Sequence, residues 1–527
     1  MRVLKRLLKG WSVKAWRVFW VRAAGPQAVS AELQTWLKGL AEREQESGVR
    51  PGDPVFLSPD YRVDPLLTRY VRSWSFRSHA MSTKLNYATD IALLLTFLWG
   101  RGKSWCEALD RDLEDFEYWR TRAPENPERV GGSKWNRELA AFSGLYRWAL
   151  RERLIMRSPV ATRQVVGYRG HLVAVPVARA KDSRPSNVHW LTPRTWRLWS
   201  DVGLRGFDRD GTPAPGWAGR LEDRNTSFVD LLTSSGLRRQ EAAALLTIEI
   251  PVQRLAGGRY CHGTVASESS RGKRSRSFYT SVRVVDQIQD YVDSSRAWAV
   301  RQAQARGRYD RAPMRLVSEV VGGLKPRVRW QGPGGRGERA LDLLTWQERA
   351  TLFIEGPEGP EPLWLWLSER GLPFYPHSWN GVFRTANQRC RQVLTPPGRR
   401  DPHRAYAPYA TPHAGRHSFA LFMLVVLNHV MDRRYGLSPE ERRDFRLLYG
   451  DPWFMVQGLL GHSSRETTIR HYLAPVRHLQ LESLLSSAPT PMGGPVPDMD
   501  NLFAQVARAA SGVQDIEAAL TPAGEGV

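Results

Sequence analysis

Six residues between positions 238 and 472 could together carry out phosphoryl transfer on DNA without a metal ion. In chain order they are Arg238, Lys273, His413, Arg416, His462 and Tyr472. Two guanidinium groups can bind the negative charge that develops on the nonbridging oxygens of a phosphodiester under attack. A histidine can accept the proton of the tyrosine, because a phenol is a weak nucleophile near neutral pH. A lysine can protonate the departing 5′ oxygen, and a phosphotyrosine link would keep the energy of the bond, so rejoining would need no ATP.

The first arginine lies in the stretch SSGLRRQEAAALL, residues 234–246. Gly236 can end or bend the chain before a helix, and this helix would carry Arg238 and Glu241 one turn apart. An arginine and a glutamate at this spacing can form an ion pair. Taken alone, the pair is more simply interpreted as a surface salt bridge than as part of a site.

The lysine lies in the stretch SESSRGKRSRSFYTSVRVV, residues 267–285. A basic turn that contains glycine leads into β-branched and aromatic residues, which predicts a β-hairpin. By itself such a turn is usually a solvated charged loop. Between Arg238 and His413, however, the only lysines are Lys273 and Lys325, and this makes Lys273 the candidate proton donor.

The stretch TPHAGRHSFALFMLVV, residues 411–426, places His413, Arg416 and His417 at the start of an apolar helix. The spacing of the two histidines could indicate a zinc-binding helix. Ala414, however, stands where the H-E-x-x-H pattern has its glutamate. The sequence therefore predicts no metal site here.

The tyrosine lies in QGLLGHSSRETTIRHYLAP, residues 457–475. Ser463 or Ser464 can cap a helix that contains Tyr472, and Gly461 and His462 directly precede it. The commoner role of a tyrosine in this setting is a half-buried aromatic on a terminal helix. Tyr472 gains its catalytic interpretation only from its combination with the other five residues.

The composition is typical of a folded protein that binds nucleic acid. The chain has 76 Lys and Arg against 53 Asp and Glu, a net charge of +23, with 42% hydrophobic residues. This hydrophobic content argues against wholesale disorder, and the charge attracts polyanions. The three cysteines stand far apart, which excludes a disulfide scaffold and a Cys-rich zinc site. No apolar run is long enough to span a bilayer, and the longest, residues 419–427, is predicted to be a core helix.

The pattern along the chain predicts several units. They are a basic N-terminal extension (1–60), a compact helical domain (61–165), a linker (166–188), a second large domain (189–485) that holds the six candidate residues and has a Gly/Pro/Arg-rich insertion at about 307–361, and a C-terminal tail (486–527). Helices are predicted from Ser82, with Ser82 or Thr83 as the cap, and from Ser133. A further helix is predicted with Thr192 as its cap and Pro193 at its first position. The first 25 residues are interpreted as a basic amphipathic helix for packing or DNA contact, with membrane-surface binding as an alternative. Residues 503–520 of the tail are interpreted as a short helix.

Taken together, the motifs resemble those of the tyrosine recombinase family, which includes phage integrases, Cre and the Xer recombinases. GLRRQE resembles the first-arginine box and gives that role to Arg238. HAGRH resembles the His-x-x-Arg box, with His413 and Arg416, although Gly415 replaces the usual leucine. LLGHSSRETTIRHY resembles the final box, with His462 and the nucleophile Tyr472 ten residues apart, where nine is frequent.

Two features of the resemblance extend beyond these boxes. The hairpin lysine of the family corresponds to Lys273 or, in an equally plausible alignment, to Arg271, and an arginine there would be a poor proton donor because it hardly deprotonates. Residues 61–165 resemble the core-binding domain of the family, and Thr83, Tyr87, Asn136, Tyr146 and Trp148 fall where that domain has its loose pattern. In the family, this domain and the catalytic domain clamp the duplex from opposite faces.

The resemblance implies a mainly α fold with a small β-sheet or hairpin. It also implies a site-specific recombinase or integrase of a mobile element, acting as a homotetramer on double-stranded DNA through 3′-phosphotyrosyl intermediates. No cofactor, metal or membrane partner is expected. The expected location is cytoplasmic and nucleoid-associated. Two alternatives remain open. One is a type IB topoisomerase, which shares the chemistry, and the other is a DNA-binding regulator that has lost catalysis.

Overall fold

The computed structural model of the chain describes residues 15–21, 42–43, 46–166, 171–180, 190–219, 221–255, 258–270, 274–310, 312–323, 325–332, 335–396, 406–433, 452–461, 500, 503–504, 507 and 513–516. It divides into two compact units, Met1–Ser186 and Asn187–Val527. The fold is mainly α with small sheets, which confirms the predicted class. The helices in the described part of the chain are all too short or too polar to cross a membrane. The finer division into five segments stays a prediction.

In the described residues of the first unit, the main helices are α1 (Pro65–Arg72), α2 (Trp74–Arg77), α3 (Met81–Trp99), α4 (Asp110–Thr121) and α5 (Gly132–Arg151). The predicted helical stretches from Ser82 and Ser133 are α3 and α5. Helix α3 begins one residue early, with Ala80 as its N-cap, so neither Ser82 nor Thr83 caps it. The core is aromatic, with Phe116 at its centre in contact with Trp135 and Phe142.

The first 25 residues were expected to form a basic amphipathic helix. This prediction is wrong for residues 17–20, which form a β-strand. Strand β1 (Arg17–Trp20) pairs antiparallel with β2 (Pro54–Leu57). Trp16, directly before β1, is buried with its ring against the edge of Trp99. The run RVFW is rich in β-branched and aromatic residues, and its pairing with PVFL gives the backbone hydrogen bonds that a helix would have supplied internally.

Part of the segment with linker composition is ordered against the first unit. Strands β3 (Thr162–Val166) and β4 (Leu172–Pro176) form an antiparallel hairpin. Beyond it, the indole Nε1 of Trp135 donates to the carbonyl of Ala178 at 2.7 Å. The side chain of Asn136 donates to the carbonyl of Ala180 and accepts from its N–H. Residues 172–180 are therefore part of this unit.

The second unit contains the helices α6 (Pro193–Gly203), α7 (Glu222–Ser235), α8 (Arg239–Ala243), α9 (Val282–Tyr291), α10 (Ala297–Ala305), α11 (Trp346–Arg349), α12 (Trp379–Leu394), α13 (Pro412–Arg433) and α14 (Pro452–Leu460). The predicted start of α6 is confirmed, because the Thr192 hydroxyl accepts from the N–H of Thr195 and Pro193 follows it. The apolar run after Arg416 is a core helix as predicted, with Phe419, Leu421 and Leu424 buried.

Strands β6 (Tyr260–Val265) and β7 (Arg276–Ser281) pair antiparallel, which confirms the predicted hairpin. The segment predicted as an insertion forms a five-stranded sheet. Its strands are β8 (Arg315–Val321), β9 (Arg327–Gly332), β10 (Gly335–Ala340), β11 (Leu352–Gly356) and β12 (Gly359–Pro362), in the order β10-β9-β8-β11-β12. The buried Arg349 ties this sheet to the residues after α8, since its guanidinium donates to the carbonyls of Ala244 and Leu341 at 2.9 Å each.

The tail was expected to be a short helix over residues 503–520. Phe503, Ala504 and Ala507 are helical, but Val513–Gln514 is a strand, β13, that pairs in parallel with β5 (Trp190–Leu191). The Asp515 carboxylate accepts hydrogen bonds from Thr192 and Arg194. The extended conformation is favoured here because it lets residues 513–515 bond to the start of α6.

Gly415, which replaces the usual leucine of the His-x-x-Arg box, lies where three side chains crowd helix α13. A Cβ at this position would lie 3.6 Å from Leu232 Cβ and Thr233 Cγ2 and 3.9 Å from the Trp196 indole. A methyl group fits at these distances, and a leucine does not. The bulk of Trp196 therefore occupies space that a leucine at 415 would need.

This packing predicts opposite effects of two substitutions. Gly415→Ala is expected to stabilise the protein by roughly 0.5–1 kcal/mol, because glycine inside a helix is unfavourable by that amount. Gly415→Leu is expected to destabilise it by roughly 1–3 kcal/mol through overpacking. Thermal unfolding of both variants checks the pair, and a leucine variant as stable as the alanine variant would contradict the described packing.

Candidate active site

The Arg238 side chain lies at the junction between helices α7 and α8. Helix α7 ends at Gly236, which has a left-handed backbone conformation (φ 64°), and Arg238 is the N-cap of α8. Arg238 Nη1 donates to Glu241 Oε1 at 2.7 Å, and the Arg238 backbone N–H donates to Glu241 Oε2 at 2.8 Å. The predicted ion pair is present, but it is not a surface pair, because the Glu241 side chain is completely buried and that of Arg238 is 25% exposed.

Arg416 lies in the first turns of α13 and is completely buried. Its Nη1 donates to the carbonyl of Gly236, two residues before Arg238, and its Nη2 donates to the carbonyl of Leu460. One guanidinium thus ties the α7–α8 junction to the C-terminal end of α14. Of the two predicted catalytic arginines, Arg238 is partly open to solvent and Arg416 is not.

Arg276, at the start of β7, is a third guanidinium at this place. Its Nη2 donates to Glu241 Oε2 at 2.6 Å, and its Nη1 donates to the carbonyl of Leu459 at 2.9 Å. Arg276 was not among the residues of the hairpin that were predicted to belong to the site. A signal was available: Arg276 is in phase with Phe278 and Thr280, whose side chains are buried, and alternation along a strand predicts that all three share a face.

The Glu241 carboxylate accepts hydrogen bonds from Arg238 and Arg276, and the charge of Arg416 also acts on it. Its burial by itself raises the pKa of the carboxyl, but the charges of Arg276, Arg238 and Arg416 outweigh this effect and lower the pKa below its ordinary value. Glu241 is therefore ionised at neutral pH. An ionised carboxylate that accepts from two arginines fixes where their other N–H groups can point.

His413 is exposed on the first turn of α13, and His417 is buried one turn later. Their Nε2 atoms are 2.9 Å apart, and the rings meet edge to face. A hydrogen bond at this distance requires one ring to donate and the other to accept. Among the residues that the structure describes, no group of three or more metal-ligating side chains occurs.

Three predicted site residues, Lys273, His462 and Tyr472, lie outside the described residues, as does the alternative Arg271. The structure brings together Arg238 and Arg416, through Gly236 and Glu241, and places His413 three residues before Arg416 on the same helix. Gly461, the residue before His462, is described and lies against Arg276. The six-residue catalytic set therefore stays a prediction.

Comparison with known proteins finds one matching family model and one similar relative. Residues 67–153 match the family model for the phage integrase N-terminal SAM-like domain. The tyrosine recombinase XerD of Ralstonia nicotianae is 27% identical over 190 residues, which are 35% of this chain and 51% of that protein. The match thus spans about half the length of this relative.

Two solved recombinase structures resemble the chain only remotely. The XerA recombinase has a TM-score of 0.28 and 12% identity, over 81% of this chain and 98% of that one. The XerH site-specific recombinase, in a post-cleavage complex with its palindromic difH substrate, has a TM-score of 0.40 and 11% identity, over 80% of this chain and 83% of that one.

Proposed function

We propose that this chain, which belongs to the tyrosine recombinase family, is a site-specific recombinase that cuts and rejoins double-stranded DNA through a 3′-phosphotyrosyl link to Tyr472. Neither a metal ion nor ATP takes part in the proposed reaction. The observation that carries the proposal is the linkage of Arg238 and Arg416 through the α7–α8 junction. Arg416 holds the carbonyl of Gly236, and Arg238 follows two residues later.

In the proposed reaction, Arg238 meets the scissile phosphate first, because it is the partly exposed guanidinium. Arg416 is completely buried, so its contact with the phosphate requires the groups that cover it to move when DNA binds. Two arginines on one phosphate stabilise the charge of the transition state in the way that metal ions do elsewhere. The ionised Glu241 carboxylate offsets part of the positive charge of these arginines before DNA binds.

The other roles follow the chemistry of each group. His413 and His462 hydrogen-bond to the phosphate or accept the proton of Tyr472. Lys273, or Arg271 in its place, protonates the 5′ oxygen as it leaves. The net charge of +23 supplies affinity for the DNA backbone that depends on salt and not on sequence. Action as a homotetramer on paired sites, in the cytoplasm and at the nucleoid, belongs to the same proposal.

Trapping of the covalent intermediate tests the proposal. Nicked suicide duplexes made from the DNA that flanks the gene are incubated with the full chain, and the products are separated under denaturing conditions. A label on the 5′ end of the cut strand is expected to migrate with the protein, and a label on the 3′ end is not. Tryptic digestion is expected to leave the nucleotide on residues 471–477, and EDTA is expected not to change the yield.

The trapping assay, together with a plasmid relaxation assay, separates the alternatives. Duplex binding without any adduct would support a regulator that has lost catalysis. Relaxation of any supercoiled plasmid, whatever its sequence, would support topoisomerase activity. The SAM-like domain at residues 67–153 favours the recombinase, because that domain accompanies the catalytic domain of integrases.

A further inference from the structure

The C-terminal end of helix α14 is held by two arginines on successive carbonyls. Leu460 accepts from Arg416, and Leu459 accepts from Arg276. The last carbonyls of a helix have no partner within it, and positive groups are favourable there. Arg416 was predicted to be catalytic. Arg276 makes the same kind of hydrogen bond to the neighbouring carbonyl.

The other end of the Arg276 guanidinium reaches Glu241. Arg276 is on β7, Glu241 is on α8 and Leu459 is on α14. The Arg276 side chain therefore links the strand β7 to two helices. The Arg276 side chain is 11% exposed and that of Glu241 is completely buried, so water screens this contact little. Arg238 Nη1 binds the other oxygen of the same carboxylate.

Gly461 shows how closely the chain passes Arg276. A Cβ on Gly461 would lie 2.4 Å from Arg276 Cδ, and the residue has a φ of +63° that favours glycine. The next residue in the chain is His462. The position of the Arg276 side chain and the path of the chain toward His462 are therefore coupled.

We propose that Arg276 is a positioning residue for DNA strand cleavage. It holds the carboxylate that orients Arg238, and it holds the end of α14 that leads to His462 against the β6–β7 hairpin, whose turn contains Lys273. The inference rests on the proposed function and adds a residue to it. Arg276 acts on the phosphate only through these groups.

A guanidinium suits this role better than other side chains. It offers several N–H donors in a rigid plane, so Nη1 and Nη2 can reach two acceptors on different elements at once. A lysine has one nitrogen and would keep the charge beside Glu241 without holding both acceptors at the same geometry. A methionine has a similar length but neither the charge nor the donors, and it would leave Glu241 without the contact from β7.

A double-mutant cycle on the cleavage step tests the inference. Single-turnover cleavage of the suicide duplex and equilibrium duplex binding are measured for the full chain with Arg276→Met, with Glu241→Gln and with both. Arg276→Met is expected to slow cleavage about 100-fold, the scale of a lost preorganised donor, and to leave the duplex Kd within about threefold because many phosphate contacts remain. The double variant is expected to be about as slow as the slower single variant, since coupled residues are not additive.

Arg274→Met is the matched control. Arg274 lies two residues before Arg276 and carries the same charge, but its side chain is exposed. The Arg274→Met protein is expected to cleave at about the wild-type rate, as surface substitutions usually have small effects. Cleavage by Arg276→Met at the wild-type rate would overturn the inference, as would multiplying effects of Arg276→Met and Glu241→Gln. If Arg276→Met does not fold, Arg276→Lys replaces it, with cleavage by the folded variant expected to be about tenfold slower, and an unchanged rate would again overturn the inference.

The two proposals fail in different ways. If the wild-type chain forms no adduct, the proposed function is wrong. If it forms the adduct and Arg276→Met or Arg276→Lys cleaves as fast, only the role of Arg276 is wrong.

Discussion

Tyr472→Phe is expected to abolish the covalent protein–DNA adduct completely while duplex binding stays within about twofold. The phenol oxygen is the only atom lost, and it is the atom that would bond to phosphorus. The aromatic ring is kept, so binding through phosphate contacts has no reason to change. The measurement is the yield of adduct from a suicide duplex labelled at the 5′ end of the cut strand, together with a mobility-shift titration.

Tyr409→Phe serves as the matched control for this prediction. Tyr409 is an exposed tyrosine of the same unit, and removal of its hydroxyl is expected to leave the adduct yield within about twofold, as for most surface changes. If the Tyr472→Phe protein still traps DNA covalently, the assignment of the nucleophile is wrong. Loss of the adduct in both variants would instead indicate a general effect on the fold.

Arg416→Lys is expected to lower the rate of strand cleavage by roughly 10³-fold, which corresponds to about 4 kcal/mol of transition-state stabilisation. Arg416 is completely buried, and its Nη1 and Nη2 donate to the carbonyls of Gly236 and Leu460. A lysine can reach one of these carbonyls at most. It cannot bind a phosphate in bidentate fashion at the same time.

The same substitution is expected to destabilise the folded chain. A buried carbonyl that loses its donor costs about 1–3 kcal/mol, and a lysine ammonium would be less well accommodated at this position than the guanidinium. Calorimetry of the free protein and single-turnover cleavage of the suicide duplex measure the two effects separately. Arg384→Lys, on the exposed side of α12, is the control for a general change of arginine to lysine. Cleavage by Arg416→Lys within about tenfold of the wild type would contradict the proposed phosphate contact.

Local patterns predicted much of the fold because the interactions that they report are local. The helices from Ser82 and Ser133 were predicted from apolar residues three and four positions apart, which meet within one helix whatever surrounds it. Thr192 and Pro193 marked the start of α6 for the same reason. The turn at Gly236 and the ion pair of Arg238 with Glu241 likewise involve residues within one or two turns of each other.

The two segments for which the predicted secondary structure was wrong are short strands with distant partners. Residues 17–20 pair with residues 54–57, and residues 513–514 pair with Trp190 and Leu191, more than 300 positions earlier in the chain. Each run by itself fits a helix or a strand. The hydrogen bonds that decide between them come from a partner that no local pattern reveals.

The site shows the same division. The sequence by itself determined which side chains have the chemistry for phosphoryl transfer, because functional groups and their order are written in it. Only the tertiary structure showed which groups Arg276 contacts, and that Arg274, the other described arginine beside it, does not share them. Arg274 and Arg276 have the same chemistry, and one is exposed while the other binds Glu241 and Leu459. Arg276 is the first residue of β7 and Arg274 precedes the strand, so their different contacts depend on where β7 begins relative to α8 and α14. A charge acquires its role from the buried carboxylate and carbonyl that the fold brings to it.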